Sequence, residues 1–196
     1  MEASDGPERI TIKGTIQADN LGKGEIIVSR HVEITGDGTN AILNAAPKNR
    51  IFNITDTGKL TIKDLKLTKG LAGSSDTSDH GGAICNAGEL TVISCEIIGN
   101  TAKTSSGGGV FVKAGGKCTI TGTSSRKSII GKNASPKGGG IQIDGKCTIG
   151  EYTVIGGSAE NANKGNARVT PSINSEKNTP GKNDSKQQHA GVANKQ

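Results

Sequence analysis

Apolar and polar residues alternate in short segments of this chain, and four of these segments are nearly identical. Each begins with a glycine and a charged residue and continues as apolar-Thr-apolar: GKLTI from Gly58, GELTV from Gly88, GKCTI from Gly116 and GKCTI from Gly145. Alternation with a period of two is typical of a β-strand that buries one face. It predicts two inward columns, formed by Leu60, Leu90, Cys118 and Cys147, and by Ile62, Val92, Ile120 and Ile149.

The four segments recur about every 29 residues, and such a period is the sequence signature of a repeat architecture. Two other apolar segments recur between them. One follows Gly-Gly pairs at Gly81, Gly108 and Gly139, and the other is EIIGN at Glu96 and SIIGK at Ser128. A glycine pair in every repeat would break helical repeats. Three short strands per repeat therefore predict an all-β fold, a parallel β-helix in which each strand pairs with its copy one turn away.

The repeats set the expected domain limits. We expect the β-helix domain to span residues 8–160 in about five turns, which corresponds to a rod about 25 Å long. Residues 1–7 precede the alternation and are expected to be disordered. Residues 161–196 are polar and basic, with many Asn, Lys, Ser and Gly residues. A segment with so little apolar surface to bury predicts a disordered tail.

The same alignment assigns an orientation to side chains outside the four segments. Cys95 aligns with Leu65 and is expected to point inward. The third strand of each repeat should add another inward column, namely Leu67, Ile97, Ile129 and Val154.

The other cysteines fall at two kinds of position. Cys118 and Cys147 occupy the same place in adjacent turns and are expected to be small buried apolar side chains. Their expected spacing is also within reach of a disulfide, so the sequence leaves their redox state open. Cys85 aligns with Phe111 and Gln142 on the outer side of its strand, which makes it the candidate reactive thiol.

Composition narrows the possible functions. The formal net charge is +6, but only 2% of the residues are aromatic. This disfavours nucleic acid as a partner, because single-strand platforms interleave aromatic and basic side chains. None of the cysteines has CxxC spacing, and we expect neither a metal site nor another cofactor. No apolar run reaches the roughly 18 residues of a membrane helix, and MEASDGPERI shows no signal-peptide pattern.

Two short motifs carry a resemblance to a known family. GGAI (Gly81–Ile84) is one of the repeat motifs of the chlamydial polymorphic outer membrane proteins. The other, Phe-x-x-Asn, is present with Ile in place of Phe, as IIGN (Ile97–Asn100) and IGKN (Ile130–Asn133). The region between about residues 50 and 160 resembles these bacterial surface repeats. The resemblance implies a right-handed parallel β-helix, carried to the cell surface as an autotransporter passenger and forming part of a longer protein.

The resemblance also implies a function. We expect a non-enzymatic, adhesin-like protein of the cell surface, outer membrane or extracellular space, whose partner is a host-cell or matrix surface. Long loops on a rigid scaffold commonly carry binding, and the longest insertion in the repeats is KGLAGSSDTSDH (Lys69–His80). The candidate partner-binding residues within it are Ser74, Ser75, Asp76, Thr77, Ser78, Asp79 and His80.

Two alternative functions remain open at this point. A polysaccharide lyase or hydrolase that acts on acidic sugars needs clustered carboxylates. The candidate carboxylates do not fall in one column of the alignment: Asp37, Asp56, Asp64, Asp76, Asp79 and Asp144. Binding to ice or a crystal surface would use the outward threonines Thr61, Thr91, Thr119 and Thr148, but the next outward positions do not form a second threonine row.

Overall fold

The computed structural model of the protein describes residues 6–17, 24–73, 80–156 and 163–169. These residues form β-strands joined by turns and bends, and no helix occurs among them. All of their strand pairs are parallel. The expected all-β fold, a parallel β-solenoid of about five turns, is confirmed. In the described ranges, no helix is long and apolar enough to cross a membrane.

The strands are short because a corner interrupts the chain after each. In chain order they are β1 (Glu8–Gln17), β2 (Ile26–Val28), β3 (His31–Asn44), β4 (Phe52–Ile54), β5 (Lys59–Lys63), β6 (Lys66–Thr68), β7 (Leu71–Ala72), β8 (Ile84–Asn86), β9 (Glu89–Ile93), β10 (Glu96–Ile98), β11 (Thr101–Ala102), β12 (Val110–Val112), β13 (Lys117–Thr121), β14 (Ser128–Gly131), β15 (Ala134–Ile143), β16 (Lys146–Ile149), β17 (Thr153–Ile155) and β18 (Lys164–Val169). The longer strands β3 and β15 each run through a corner and join neighbouring faces.

Three faces surround the core. The first face contains the N-terminal part of β3 with β5, β9, β13 and β16, and the second contains the C-terminal part of β3 with β6, β10, β14 and β17. The third face contains β2, β4, β8, β12 and the C-terminal part of β15. A short ladder of β7, β11 and the start of β15 follows the second face. Neighbouring strands within a face are therefore equivalent positions of successive turns.

The first face places the two inward columns in register. In both columns each member pairs with the next along the axis. The first column, Leu60, Leu90, Cys118 and Cys147, is buried throughout. The second, Ile62, Val92, Ile120 and Ile149, is inaccessible except for the half-buried Ile149 on the last strand of the face. Successive turns thus share one continuous apolar core.

The third inward column differs from the expected one. Ile129 and Val154, which were expected to point inward, are half-buried on the outer side of the second face. The residue after each of them takes the inward position, so that the column is Leu67, Ile97, Ile130 and Ile155. The corner between β13 and β14 contains an additional turn, closed by backbone hydrogen bonds between Thr123 and Arg126. The expected register is wrong because it matched the Ile-Ile-Gly letters of EIIGN and SIIGK. Matching Asn100 with Asn133 instead places Ile130 on Ile97, as observed.

Sheet pairing continues beyond the predicted domain limit at residue 160. Strand β18 lies within the predicted tail and pairs with β15. Asn163, directly before β18, accepts a hydrogen bond from the backbone N–H of Asn133 at 3.0 Å. The end of the paired structure therefore does not coincide with the end of the alternating sequence pattern. Residues 170–196 and residues 1–5, for which the sequence predicts disorder, lie outside the described residues.

Replacement of Leu90 by alanine should lower the free energy of unfolding by about 2–5 kcal/mol, because the leucine is enclosed between two turns that cannot close the gap. Thr91→Ala, on the outward side of the same strand, is the matched control and should change stability by less than about 0.5 kcal/mol. Urea unfolding followed by circular dichroism measures both variants. Equal losses would contradict the assignment of inward and outward sides.

Candidate functional site

The candidate partner-binding loop returns to the solenoid at the third face. Its residues Ser74, Ser75, Asp76, Thr77, Ser78 and Asp79 lie outside the described residues, whereas His80 is described. The Nδ1 atom of His80 is 2.7 Å from the hydroxyl oxygen of Ser105. The His80 ring stacks on Phe111, with ring centroids 4.2 Å apart and planes inclined by 17°. These two contacts fix the point at which the loop ends.

Cys85 is buried, and the expectation that it is an exposed reactive thiol is wrong. It does pair with Phe111 on the outer side of the third face, but its exposed fraction is 0% and that of Phe111 is 5%. His80 covers Phe111. Gln142, the next member of this row, is also buried and donates from Nε2 to Asp144 at 2.7 Å. An outward side chain is exposed only where nothing packs over it, and on this row the His80 ring packs over Phe111.

Arg50 and Glu25 form a buried ion pair next to the GGAI segment. The Nη1 atom of Arg50 is 3.0 Å from Oε2 of Glu25, and the Arg50 side chain is fully enclosed. These two atoms are not aligned as a hydrogen bond, but Nε of Arg50 donates to the carbonyl oxygen of Gly81 at 3.0 Å. Asn53 donates to the other carboxylate oxygen of Glu25 at 2.7 Å. Through the hydrogen bond to Gly81, this network connects Glu25 and Asn53 to the GGAI segment. Removing either charged residue would be costly, because the other charge would remain buried and uncompensated.

Asn100, Asn133 and Asn163 lie one above another at the corner between the second face and strands β7, β11 and the start of β15. Hydrogen bonds join them into a row that we call the asparagine ladder. The side-chain oxygen of Asn133 accepts from the backbone N–H and from Nδ2 of Asn100, at 2.9 and 3.0 Å. The side-chain oxygen of Asn163 accepts from the same two groups of Asn133, at 3.0 and 3.3 Å. Each Nδ2 also donates to a strand carbonyl oxygen of the preceding turn, namely that of Leu67, Ile97 or Ile130. The ladder thereby satisfies backbone groups that a buried corner would otherwise leave unpaired.

Glycines pack directly against this ladder. A Cβ atom on Gly109 would lie 2.9 Å from Nδ2 of Asn133, and one on Gly140 would lie 2.5 Å from Nδ2 of Asn163. A Cβ atom on Gly82 would lie 2.2 Å from a carbonyl oxygen of the next turn. Such distances exclude any side chain, because they are far inside van der Waals contact. The glycine runs are therefore required by close approach between turns.

The segment that corresponds to GGAI in the next turn thus contacts the asparagine that ends IGKN. Gly109 belongs to GGGV (Gly107–Val110), which stacks on GGAI, whereas Gly82 of GGAI itself lies against the backbone of Thr101, the residue that follows IIGN. Both motifs are evident in the sequence, but neither this contact nor the role of Asn163 is. Asn100 and Asn133 follow an inward isoleucine by three positions, which is a usable signal. Asn163 follows Ile155 after a longer connection, so this spacing does not reveal it.

The outer side of the first face carries two straight rows of side chains. We call Lys59, Glu89, Lys117 and Lys146 the lysine row, and Thr61, Thr91, Thr119 and Thr148 the threonine row. Nζ of Lys117 lies 3.2 Å from Oε1 of Glu89, and Nζ of Lys59 lies 3.6 Å from Oε2. The hydrogen bond and charge of Lys117, with the charge of Lys59, lower the pKa of Glu89. One carboxylate is therefore shared by two of the three lysines.

The carboxylates considered for a sugar-cleaving site lie at separate places. Asp37 contacts Lys13 at 3.0 Å, Asp64 contacts Arg126 at 3.7 Å, Asp144 accepts from Gln142, and Asp56 accepts from the N–H of Thr57. Asp76 and Asp79 lie outside the described residues. In the part of the chain that the structure describes, no three or more His, Cys, Asp or Glu side chains are placed to hold a metal ion.

Two of the inward thiols, those of Cys95 and Cys118, have raised pKa values and are protonated near neutral pH. Cys95 is fully buried as expected, and burial raises its pKa to about 12. The pKa of Cys118 is also raised well above its ordinary value, first by its contact with the Cys147 thiol and then by burial. All four cysteines are free thiols in this structure. Since the thiolate is the reactive form, these groups act as core side chains.

Comparison of the chain with protein-family models, with curated proteins and with solved structures finds no match.

Replacement of Asn133 by alanine should lower the free energy of unfolding by at least about 1–3 kcal/mol, because it leaves buried backbone groups of two turns without partners. Thr119→Ala, which removes an exposed polar side chain from the neighbouring turn of the first face, is the control and should have little effect. Thermal and urea unfolding of both variants measure the difference. Equal stability of Asn133→Ala and the unsubstituted protein would contradict a structural role for the ladder.

Native protein at pH 8 should react slowly with a soluble thiol reagent at all four cysteines and rapidly once unfolded in urea. The reason is the burial of each thiol together with the raised pKa of Cys95 and Cys118. Counting modified thiols by mass spectrometry measures this. Rapid labelling of one thiol in the native protein, absent in Cys85→Ser, would show that Cys85 is accessible after all.

Proposed function

We propose that the chain is the β-helix repeat region of a non-enzymatic bacterial cell-surface or secreted protein, of the adhesin-like autotransporter passenger type, and that it binds a host-cell or matrix surface. The proposal combines the family resemblance with one structural observation. That observation is the contact between Gly109, in the segment that stacks on GGAI one turn further on, and Asn133, which ends IGKN. It supports a shared structural role for the two kinds of segment.

The way in which the insertion loop is anchored also supports the proposal. His80 is fixed by Ser105 and Phe111, and Arg50 holds the carbonyl oxygen of the next residue, Gly81. A loop whose end is fixed on a rigid scaffold loses less conformational entropy when it binds a partner. Asp37, Asp64 and Asp144 each contact a neighbouring side chain, and Asp56 accepts from the next backbone N–H, which favours a structural role for these four carboxylates.

Replacing residues 74–79 with a Gly-Ser segment of equal length tests the loop. The substitution retains His80 and its contacts, so the solenoid should stay folded while attachment to cultured host cells or matrix proteins falls. The double variant Ser124→Gly/Ser125→Gly, in the exposed turn between β13 and β14, is the control and should leave attachment unchanged. Circular dichroism and thermal unfolding check the fold of both variants.

The outcomes separate the parts of the proposal. Unchanged attachment of the loop variant would remove the loop from the proposal and leave the adhesive function in place. Failure of the unsubstituted protein to attach to any host cell or matrix surface would overturn the adhesive function itself.

A further inference from the structure

The lysine row has an uneven charge along the solenoid. In its N-terminal part, the positive charge of the lysines is partly neutralised by the carboxylate of Glu89, which contacts both Lys59 and Lys117. At its C-terminal end, Lys117 and Lys146 are register neighbours, and both are exposed. Among the described residues, no carboxylate lies within ion-pair distance of Lys146. Two like charges on adjacent strands, with strands about 4.8 Å apart, repel each other, and an anion bound between them would reduce this repulsion.

The neighbouring row supplies hydrogen-bonding groups beside these charges. Thr119 and Thr148 lie two residues along from Lys117 and Lys146 on the same outer side, and they are also register neighbours. Asp144, the acidic residue closest in sequence to Lys146, is held by Gln142 of the third face. The C-terminal half of the first face therefore presents paired ammonium and hydroxyl groups in two straight rows along the axis.

We propose that this half of the first face binds a linear anionic polysaccharide, which lies along the solenoid axis across β13 and β16. Lys117 and Lys146 contact its sulfate or carboxylate groups, and Thr119 and Thr148 contact its hydroxyl groups. The inference specifies the partner class within the proposed surface-binding function and rests on that function for its biological setting. Glu89 limits the affinity because it occupies Lys117.

The composition of this face favours a polysaccharide over a nucleic acid. The outward positions of β13 and β16 are lysine and threonine residues, with no aromatic side chain among them. Single-stranded nucleic acids gain much of their affinity by stacking bases on aromatic rings, which these positions do not provide. Sugar chains that carry anionic and hydroxyl groups match both rows.

The test measures binding of a size-defined heparin oligosaccharide to the full chain by calorimetry at low and physiological salt. The double variant Lys117→Gln/Lys146→Gln should lose about fivefold in affinity per lysine, with a salt slope reduced by about one per lysine. Glu89→Gln should bind more tightly, because it frees Lys117. The matched control is Lys103→Gln/Lys137→Gln, which makes the same change in net charge at the corner between the second and third faces and should bind like the unsubstituted protein.

Several results would overturn the proposal. These are no binding at low salt, an equal loss in the control variant, no gain in Glu89→Gln, or equally tight binding of single-stranded DNA. A parallel titration with hyaluronan, which carries carboxylates but no sulfates, identifies the anion that the lysines recognise. Either polysaccharide satisfies the proposal.

Cell attachment separates this inference from the proposed function. If host cells stripped of anionic polysaccharides by polysaccharide lyases still bind the protein fully, the polysaccharide proposal fails and the adhesive function stands. If the oligosaccharide binds as expected but no host cell does, the adhesive function fails and the polysaccharide site stands.

Discussion

Parallel pairing of each strand with its own copy in the next turn is the constraint on which the rest of this structure depends. The backbone hydrogen bonds hold successive turns about 4.8 Å apart, so a residue has the equivalent residues of the adjacent turns as its nearest neighbours. Leu60 therefore stacks on Leu90, and Cys118 on Cys147, because the register makes them nearest neighbours. A core without tryptophan and with few other aromatic residues is therefore sufficient, because each turn is only one side chain thick.

The same constraint acts at the corners. Lys69 and Lys132 have positive φ angles of 56°, and they occupy the corner where Gly99 and Gly156 have positive φ angles of 70° and 76°. The left-handed conformation costs a non-glycine residue about 1–2 kcal/mol, and it is retained because the stacked turns impose one corner shape. At the following corner the turns approach so closely that glycine is obligatory, and the asparagine ladder supplies the missing backbone hydrogen bonds. The close approach of glycine backbones and the hydrogen bonds of the asparagine side chains therefore occur at the same corner and depend on each other.

The outer sides of the faces differ from one another much more than the inner sides do. On the third face, the outward residues Cys85, Phe111 and Gln142 are buried, and the end of the insertion loop is fixed there through His80. The first face is open and carries charged and hydroxyl side chains in rows. A solenoid thus provides one uniform core and several independent surfaces, and binding can evolve on a surface without disturbing the columns beneath it.

The sequence by itself determined the strand period, the parallel stacking and the columns of the first face, since a period-two alternation repeated about every 29 residues has few other solutions. It also contained both family motifs, but it did not reveal that Gly109 packs on Asn133 or that Asn163 completes the ladder. The tertiary structure decided between two sequence matches for the third column. Matching the Ile-Ile-Gly letters places Ile129 on Ile97, whereas matching the asparagines places Ile130 there, and the strand pairing follows the asparagines. Only the tertiary structure shows that the Cys85 side chain is buried. Alternation records which side of a strand a residue is on, whereas exposure depends on segments distant in sequence that pack over that side.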